Sequence, residues 1–185
     1  RRVSAVRMLM RFLWREGRIP HDVTAQVEPQ QWHRALPKAL TEAEVEALLA
    51  QPALDLLAAR QRGPSDRMRA RSAATALRNR ALIELLYATG ARVSEVATMN
   101  LDAVELDAGL VRCFGKGAKE RLVPLGDAAA DALRAYLADG RPVLGGGRSP
   151  RLFPGRGGQG HMTRKAVWQV VTACARRAGI ARIWQ

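Results

Sequence analysis

One short block of alternating hydrophobicity, between residues 103 and 125, most limits how this chain of 185 residues can fold. Three apolar runs lie within it, and glycine-containing turns at 107–109 and 115–119 separate them. The predicted strands are 103–106, 110–114 and 121–125. Outside this block, apolar residues recur at the three- and four-residue spacing of helices. The sequence therefore predicts a mainly α fold with a small three-stranded antiparallel β-sheet.

Capping residues and glycines delimit the helices that the apolar spacing predicts. Thr41 followed by Glu44 forms a capping box, and Gly17, Gly90 and Gly179 are placed to end helices. The predicted helices cover residues 2–16, a segment after Thr41, 72–89, 93–100, a segment that Asp127 caps, and a last helix that Thr163 caps. The predicted irregular segments are a linker at 19–37, an exposed basic loop at 60–71 and a loop at 142–160.

The charge of the chain points to a polyanionic partner. Thirty Lys and Arg residues against seventeen Asp and Glu give a net charge of +13, which is typical of proteins that bind nucleic acid. No carboxylate follows Asp139, so paired-carboxylate catalysis is excluded from the last quarter of the chain. Cys113 and Cys174 are too few for a disulfide framework or a four-thiolate zinc site, and each fits a small core position. No apolar run reaches the roughly 18 residues of a membrane span, and no signal-peptide pattern is present, which favours a cytoplasmic protein.

Two local patterns could bind a phosphate group. Residues 88–95 place Arg92 in the first turn of a helix, where free amides and the helix dipole favour an anion. Residues 115–121 place Lys116 between two glycines at the tip of a predicted hairpin. Taken alone, each pattern is more common as an ordinary exposed turn.

Together these patterns resemble the tyrosine recombinase (phage integrase-type) family, and most of all its Xer-like group, which resolves chromosome dimers. The segments that carry the resemblance are 85–95 (LLYATGARVSE), 115–125 (GKGAKERLVPL), 152–154 (LFP) and 162–164 (MTR). Upstream, 4–7 (SAVR), 34–38 (RALPK) and 40–42 (LTE) resemble the end of the family's helical core-binding domain and its linker. The resemblance implies that residues 1–33 belong to the core-binding domain and linker, and 38–185 to the first two-thirds of the catalytic domain.

The resemblance also implies a chemistry and a set of roles. Members of the family cut and rejoin DNA through a 3′-phosphotyrosyl intermediate, without a metal or a nucleotide cofactor. By motif, Arg92 would bind the non-bridging oxygens of the scissile phosphate, Lys116 would protonate the departing 5′ oxygen, and Glu95 would orient the site. The expected DNA contacts are Lys119, Arg121 and Arg164. The expected partners are double-stranded DNA and, in the full-length enzyme, a second recombinase subunit in a tetramer on two duplexes, with no membrane partner.

The sequence departs from the family pattern after Gly179. The expected His-x-x-Arg helix and nucleophilic tyrosine do not follow, so we expect the chain to be truncated and inactive alone. A truncated gene, a piece of a longer chain and one part of a fragmented enzyme are equally compatible with the sequence. The one literal His-x-x-Arg, His161 to Arg164, precedes the last helix, and we do not expect it to be the catalytic pair. The only tyrosines, Tyr87 and Tyr136, fit core positions. Two alternatives stay open: a non-catalytic DNA-binding module derived from a recombinase, and an RNA-binding protein.

Overall fold

The computed structural model describes residues 2–27, 39–61, 65–115, 120–145, 149–155 and 160–180. The chain divides into two compact units, Arg1–Lys38 and Ala39–Gln185. In the first unit, helix α1 spans Arg2–Arg15, as its apolar spacing predicts, and Gly17 follows it with a left-handed φ of 67°. Most of the predicted linker lies outside the described residues.

The second unit contains five α-helices and one sheet in its described part, together with a 3₁₀ helix at Leu101–Ala103 and a π-helical turn at Tyr136–Gly140. In chain order the α-helices and strands are α2 (Glu42–Gln61), α3 (Asp66–Thr89), α4 (Val93–Ala97), β1 (Val104–Glu105), β2 (Leu110–Phe114), β3 (Glu120–Pro124), α5 (Asp127–Ala135) and α6 (Arg164–Arg177). The predicted mainly α fold with three short strands is therefore confirmed. In the described residues, no helix has the length and apolar character needed to span a membrane.

The predicted caps of two helices are confirmed. The Thr41 hydroxyl accepts a hydrogen bond from the Glu44 amide at 3.3 Å, and the Glu44 carboxylate accepts one from the Thr41 amide at 2.8 Å. These reciprocal bonds satisfy amides that have no partner inside α2. The Thr163 hydroxyl accepts from the Ala166 amide at 3.1 Å in the same way and starts α6.

The prediction of a basic loop at 60–71 was wrong. Helix α3 begins at Asp66 instead of Ser72, and the Ser65 hydroxyl caps it by accepting from the Met68 amide at 3.3 Å. The acidic side chain of Asp66 in the first turn also favours an earlier start. Arg67, Arg69 and Arg71 therefore lie on a helix, and only residues 62–64 between α2 and α3 lie outside the described residues.

Two other predicted helix boundaries also differ from the structure. Gly126, and not Asp127, occupies the N-cap of α5, and Asp127 is its first helical residue. Helix α4 ends at Ala97, short of the predicted residue 100, because the chain then turns into the 3₁₀ segment Leu101–Ala103. The predicted loop at 142–160 forms isolated antiparallel bridges where it is described, between Asn100 and Arg151 and between Pro154 and His161.

The three strands form an antiparallel sheet in the order β1-β2-β3. Val111 pairs with Val123, and Cys113 pairs with Arg121. Val111 and Cys113 are buried, so these pairs occupy the inner face of the sheet, whereas Phe114 on the outer face is exposed. The tip of this hairpin, residues 116–119, lies outside the described residues.

The core forms where α3, α4, α5 and the sheet meet around one buried aromatic pair. The rings of Tyr136 and Phe153 are fully buried and stacked, with centroids 5.4 Å apart. The Tyr136 hydroxyl donates to the Leu152 carbonyl at 3.1 Å, and burial raises the pKa of Tyr136 to about 12. Both cysteines are buried and free, as expected of small core residues.

The core position predicted for Tyr87 was wrong. Its side chain is 64% exposed, although Leu82 and Leu85 of the same helix are fully buried. Two residues correspond to about 200° of rotation around an α-helix, so the face that buries Leu85 turns Tyr87 toward solvent. The apolar run in the sequence concealed this difference, because Leu85 and Leu86 directly precede Tyr87 and Ala88 follows it.

Candidate active site

Arg92 stands at the tight turn between α3 and α4. Gly90 follows α3 in a left-handed conformation, with φ of 55°, and its amide donates to the Leu86 carbonyl at 3.1 Å. Ala91 is buried, and Arg92 takes the extended N-cap conformation that starts α4. The Arg92 side chain is 67% exposed, so its guanidinium is accessible from solvent.

Arg92 is held by the carboxylate of Glu95, one turn along α4. The Arg92 guanidinium donates from Nη1 to Glu95 Oε1 at 2.9 Å, and the Arg92 amide donates to Oε2 at 3.2 Å. The Glu95 side chain is only 5% exposed, so these bonds form away from bulk water. Helix α4 has only five residues and a correspondingly weak dipole. The position of Arg92 is therefore fixed by Glu95 more than by the helix terminus.

A second guanidinium also binds the buried carboxylate of Glu95. Arg121 of β3 donates from Nη2 to Glu95 Oε2 at 2.7 Å. The structure thus brings together three of the residues singled out from the sequence, Arg92, Glu95 and Arg121. We predicted Arg121 as a DNA contact from the sequence. In the structure its side chain bonds Glu95.

The electrostatics of Glu95 follow from these contacts. Burial acts to raise its pKa, but the hydrogen bonds from Arg121 and Arg92 act in the opposite direction and leave the pKa below its usual value of 4.5. The same bond to Glu95 raises the pKa of Arg121. The Glu95 carboxyl is therefore ionised near neutral pH, and together with the two guanidiniums the cluster carries one net positive charge.

A pH dependence of stability follows from the lowered pKa of Glu95. The contribution of a carboxylate with a lowered pKa is fully present above its unfolded pKa and is lost as the pH falls through the folded value. We expect the unfolding free energy of the chain to fall below pH 4.5 more steeply than that of the Glu95→Gln variant, whose side chain cannot titrate. Urea unfolding at a series of pH values measures this difference. Parallel pH profiles for the two proteins would contradict it.

The remaining predicted site residues are not brought to this cluster by the described part of the chain. Lys116 and Lys119 lie outside the described residues, in the connection between β2 and β3. Arg164 is the first residue of α6, and its side chain is exposed. His161 lies in the bridge with Pro154, and its Nδ1 is 2.8 Å from the Met162 carbonyl oxygen, which suits a structural position.

Arg151 is a residue near the site that the sequence analysis did not select. Its Nη1 donates to the Thr98 carbonyl at 2.6 Å and to Asn100 Oδ1 at 3.0 Å. It thereby fastens the segment before Leu152 to the residues that follow α4. The only signal in the sequence was its position directly before the LFP segment, which does not reveal a partner more than fifty residues away.

The sequence of this chain matches the model of a known protein family. The model of the phage integrase family matches residues 38–185, which is most of the sequence. The chain belongs to the phage integrase family. The resemblance of the Arg92 and Lys116 motifs to this family is therefore confirmed at the level of the family, and the fold agrees with it.

Relatives of known type share much of the sequence. Tyrosine recombinase XerD of Pseudomonas putida is 42% identical over 179 residues, which cover 96% of this chain and 54% of the relative. Tyrosine recombinase XerD of Mycobacterium tuberculosis is 43% identical over 183 residues, which cover 97% of this chain and 54% of the relative. The phage integrase chain thus spans about half the length of these relatives.

Solved structures share its fold. The XerH site-specific recombinase, in a post-cleavage complex with a palindromic difH substrate, aligns with a TM-score of 0.61 and 25% identity, over 84% of this chain and 40% of XerH. The XerA recombinase aligns with a TM-score of 0.59 over 82% of this chain and 47% of XerA. At 18% identity, XerA supports the fold alone.

Proposed function

We propose that this chain carries part of the catalytic domain of a site-specific DNA recombinase of the tyrosine type. The enzyme would cut and rejoin DNA strands through a 3′-phosphotyrosyl intermediate, in chromosome dimer resolution or DNA integration. The observation that carries the proposal is the exposed Arg92, held by the buried Glu95, within a segment that matches the family. Its relatives named XerD and the DNA-bound XerH support the same assignment.

The roles proposed for the two motif cations suit the reaction. The tyrosine oxygen would form a bond to phosphorus while the bond from phosphorus to the 5′ oxygen breaks, and negative charge would build on the non-bridging oxygens. Arg92 offers those oxygens a planar fork of N–H donors that stays protonated. Lys116 would give its proton to the departing 5′ oxygen, because an ammonium releases a proton more readily than a guanidinium.

Neither tyrosine of the chain is suited to be the nucleophile. Tyr136 is fully buried, and its hydroxyl is engaged with the Leu152 carbonyl, so it cannot reach a phosphate. Tyr87 is exposed, but it lies in the segment that resembles the arginine motif of the family, not its tyrosine motif. We infer that residues 1–185 bind DNA and do not cut it.

The partner and the domains follow from the same assignment. Residues 1–33 would belong to the helical core-binding domain and its linker, and 38–185 to the catalytic domain. The net charge of +13 supports double-stranded DNA as the partner. A second recombinase subunit, in a tetramer on two duplexes, would complete the assembly of the full-length protein in the cytoplasm. Arg164, exposed at the start of α6, and Lys119 would add phosphate contacts.

The salt dependence of DNA binding tests this proposal. The affinity for a short duplex should fall steeply between about 50 and 200 mM salt, with a log–log slope near −0.9 for each phosphate contacted. If Arg92 binds one phosphate, Arg92→Gln should weaken binding and reduce the slope by about 0.9. Fluorescence anisotropy of a labelled duplex measures both quantities.

Arg112→Gln is the matched control for this measurement. Arg112 loses the same charge but forms ion pairs with Glu105 and Glu120 on the sheet. Binding that is insensitive to salt would refute DNA-phosphate recognition. Equal effects of Arg92→Gln and Arg112→Gln would show that Arg92 has no special place on the DNA, as expected of a non-catalytic module.

A further inference from the structure

Two arginines from distant parts of the chain share one buried carboxylate. Arg92 at the start of α4 bonds Oε1 of Glu95, and Arg121 of β3 bonds Oε2. The pairing register explains why Arg121 can reach Glu95. Arg121 lies opposite Cys113 on β2, and Cys113 is fully buried, so Arg121 occupies the inner face of the sheet.

The second arginine changes the charge that the cluster presents to an anion. A carboxylate bound to Arg92 alone would form a neutral pair with it, and an approaching phosphate would meet the repulsion of Glu95 together with the attraction of Arg92. With Arg121 included, the three groups carry a net charge of +1. Glu95 is only 5% exposed, so its charge is balanced mainly by the two arginines and not by water.

We propose that Arg121 is a positioning residue, which neutralises Glu95 so that this carboxylate holds Arg92 in place without cancelling its charge. The inference rests on the proposed function, since it takes Arg92 as the phosphate ligand. It replaces the sequence-based prediction that Arg121 contacts DNA directly. It also links β3, which follows Lys116 in the sequence, to the N-cap of α4, where Arg92 lies.

Arg112 provides the control for this role within the same sheet. Arg112 is 37% exposed and Arg121 is 39% exposed. Arg112 lies opposite Leu122 on the outer face, where it pairs with Glu105 and Glu120. Replacing either arginine by glutamine removes one positive charge from a strand, but only Arg121 contacts Glu95.

The first measurement follows the Glu95 carboxyl by carbon NMR during a pH titration of the whole chain. Arg121→Gln should raise the pKa of Glu95, because burial remains and one charged donor is lost. Arg112→Gln should leave that pKa unchanged. Arg121→Lys should restore most of the lowered value, since a lysine keeps a positive donor beside Oε2, and this variant also serves if Arg121→Gln does not fold. An unchanged pKa of Glu95 in Arg121→Gln would overturn the link.

The second measurement is a double-mutant cycle on duplex binding. Arg121→Gln should weaken binding about tenfold at low salt. This is the effect of losing the one charge-assisted hydrogen bond that a correctly placed Arg92 makes to the phosphate. In the Arg92→Gln background the same change should have a clearly smaller effect, because Arg92 is no longer there to be positioned and only the repulsion from the unneutralised Glu95 remains. Additive effects of Arg92→Gln and Arg121→Gln would overturn the proposal and show that Arg121 contacts DNA itself.

The two measurements separate a failure of this inference from a failure of the proposed function. If Arg92→Gln weakens binding no more than Arg112→Gln does, the phosphate role of Arg92 fails, and the inference fails with it. If Arg92→Gln weakens binding but Arg121→Gln is additive with it, only the inference fails. A merely structural Arg121 would lower the melting temperature and move the pKa of Glu95 when replaced, but it would leave duplex binding by the folded chain unchanged.

Discussion

Replacement of Arg92 by alanine should abolish covalent attachment of DNA in a chain extended into the family's His-x-x-Arg and tyrosine segments. Such an extended chain should form a covalent adduct with a nicked suicide substrate, detected by denaturing gel electrophoresis. Negative charge grows on the phosphate in the transition state, and the removal of one preorganised donor costs about 10²- to 10³-fold in rate. Arg92 is fixed beforehand by Glu95, so its donors are preorganised.

Lys116→Ala separates the two motif cations in the same assay. This variant should also slow cleavage, but a substrate with sulfur at the 5′ bridging position should restore it, because a thiolate leaves without a proton. Arg92→Ala should not be rescued by sulfur. Rescue of both variants, or of neither, would contradict the separate roles.

The exposed Tyr87 supplies a further check on the nucleophile. Residues 1–185 without an extension should form no adduct with the same substrate. An adduct that Tyr87→Phe removes would show that the exposed tyrosine of α3 is the nucleophile, contrary to the proposed function. Tyr136→Phe should have no such effect, because the Tyr136 hydroxyl is engaged inside the core.

Phe153→Ala should lower the unfolding free energy by about 3–5 kcal/mol, the usual cost of truncating a large buried aromatic side chain. The Phe153 ring is fully buried and stacked on Tyr136, so its removal leaves a cavity and also breaks the aromatic contact. Phe114→Ala is the control, because Phe114 is exposed on the outer face of the sheet. Its effect should stay within about 1 kcal/mol.

Urea unfolding followed by circular dichroism measures both variants. Equal losses of stability would show that Phe153 does not anchor the core. A large loss for Phe153→Ala alone would establish that Phe153 of the LFP segment, one of the segments that resemble the family, anchors the core.

The order of elements was predictable because local rules determine it. The three strands lie within one residue of their predicted bounds, and the start of α2 matches its capping box. The start of α3 was not predictable from Gly63 and Pro64, which mark a turn but do not reveal its length. Ser65 was already in place to cap a helix six residues earlier than the predicted start.

Which side chains are buried was harder to predict than which segments form helices or strands. Tyr87 lies in a run of apolar residues, and only the packing of α3 against its neighbours shows which side of the run faces solvent. Arg121 gave a usable signal that the sequence analysis overlooked. It alternates with Val123 and Leu125, which places all three on one face of a strand, and Leu125 is buried.

The sequence by itself determined the class of fold, the caps of α2 and α6, the Arg92 and Lys116 motifs and, through them, the family. These features depend on residues close together in the chain, where spacing and capping chemistry decide the outcome. Only the tertiary structure showed that Arg121 bonds Glu95, because the two residues are 26 positions apart and on different elements. Alternation along a strand gives the face on which a side chain lies, but the partner on that face depends on how the helices pack against the sheet.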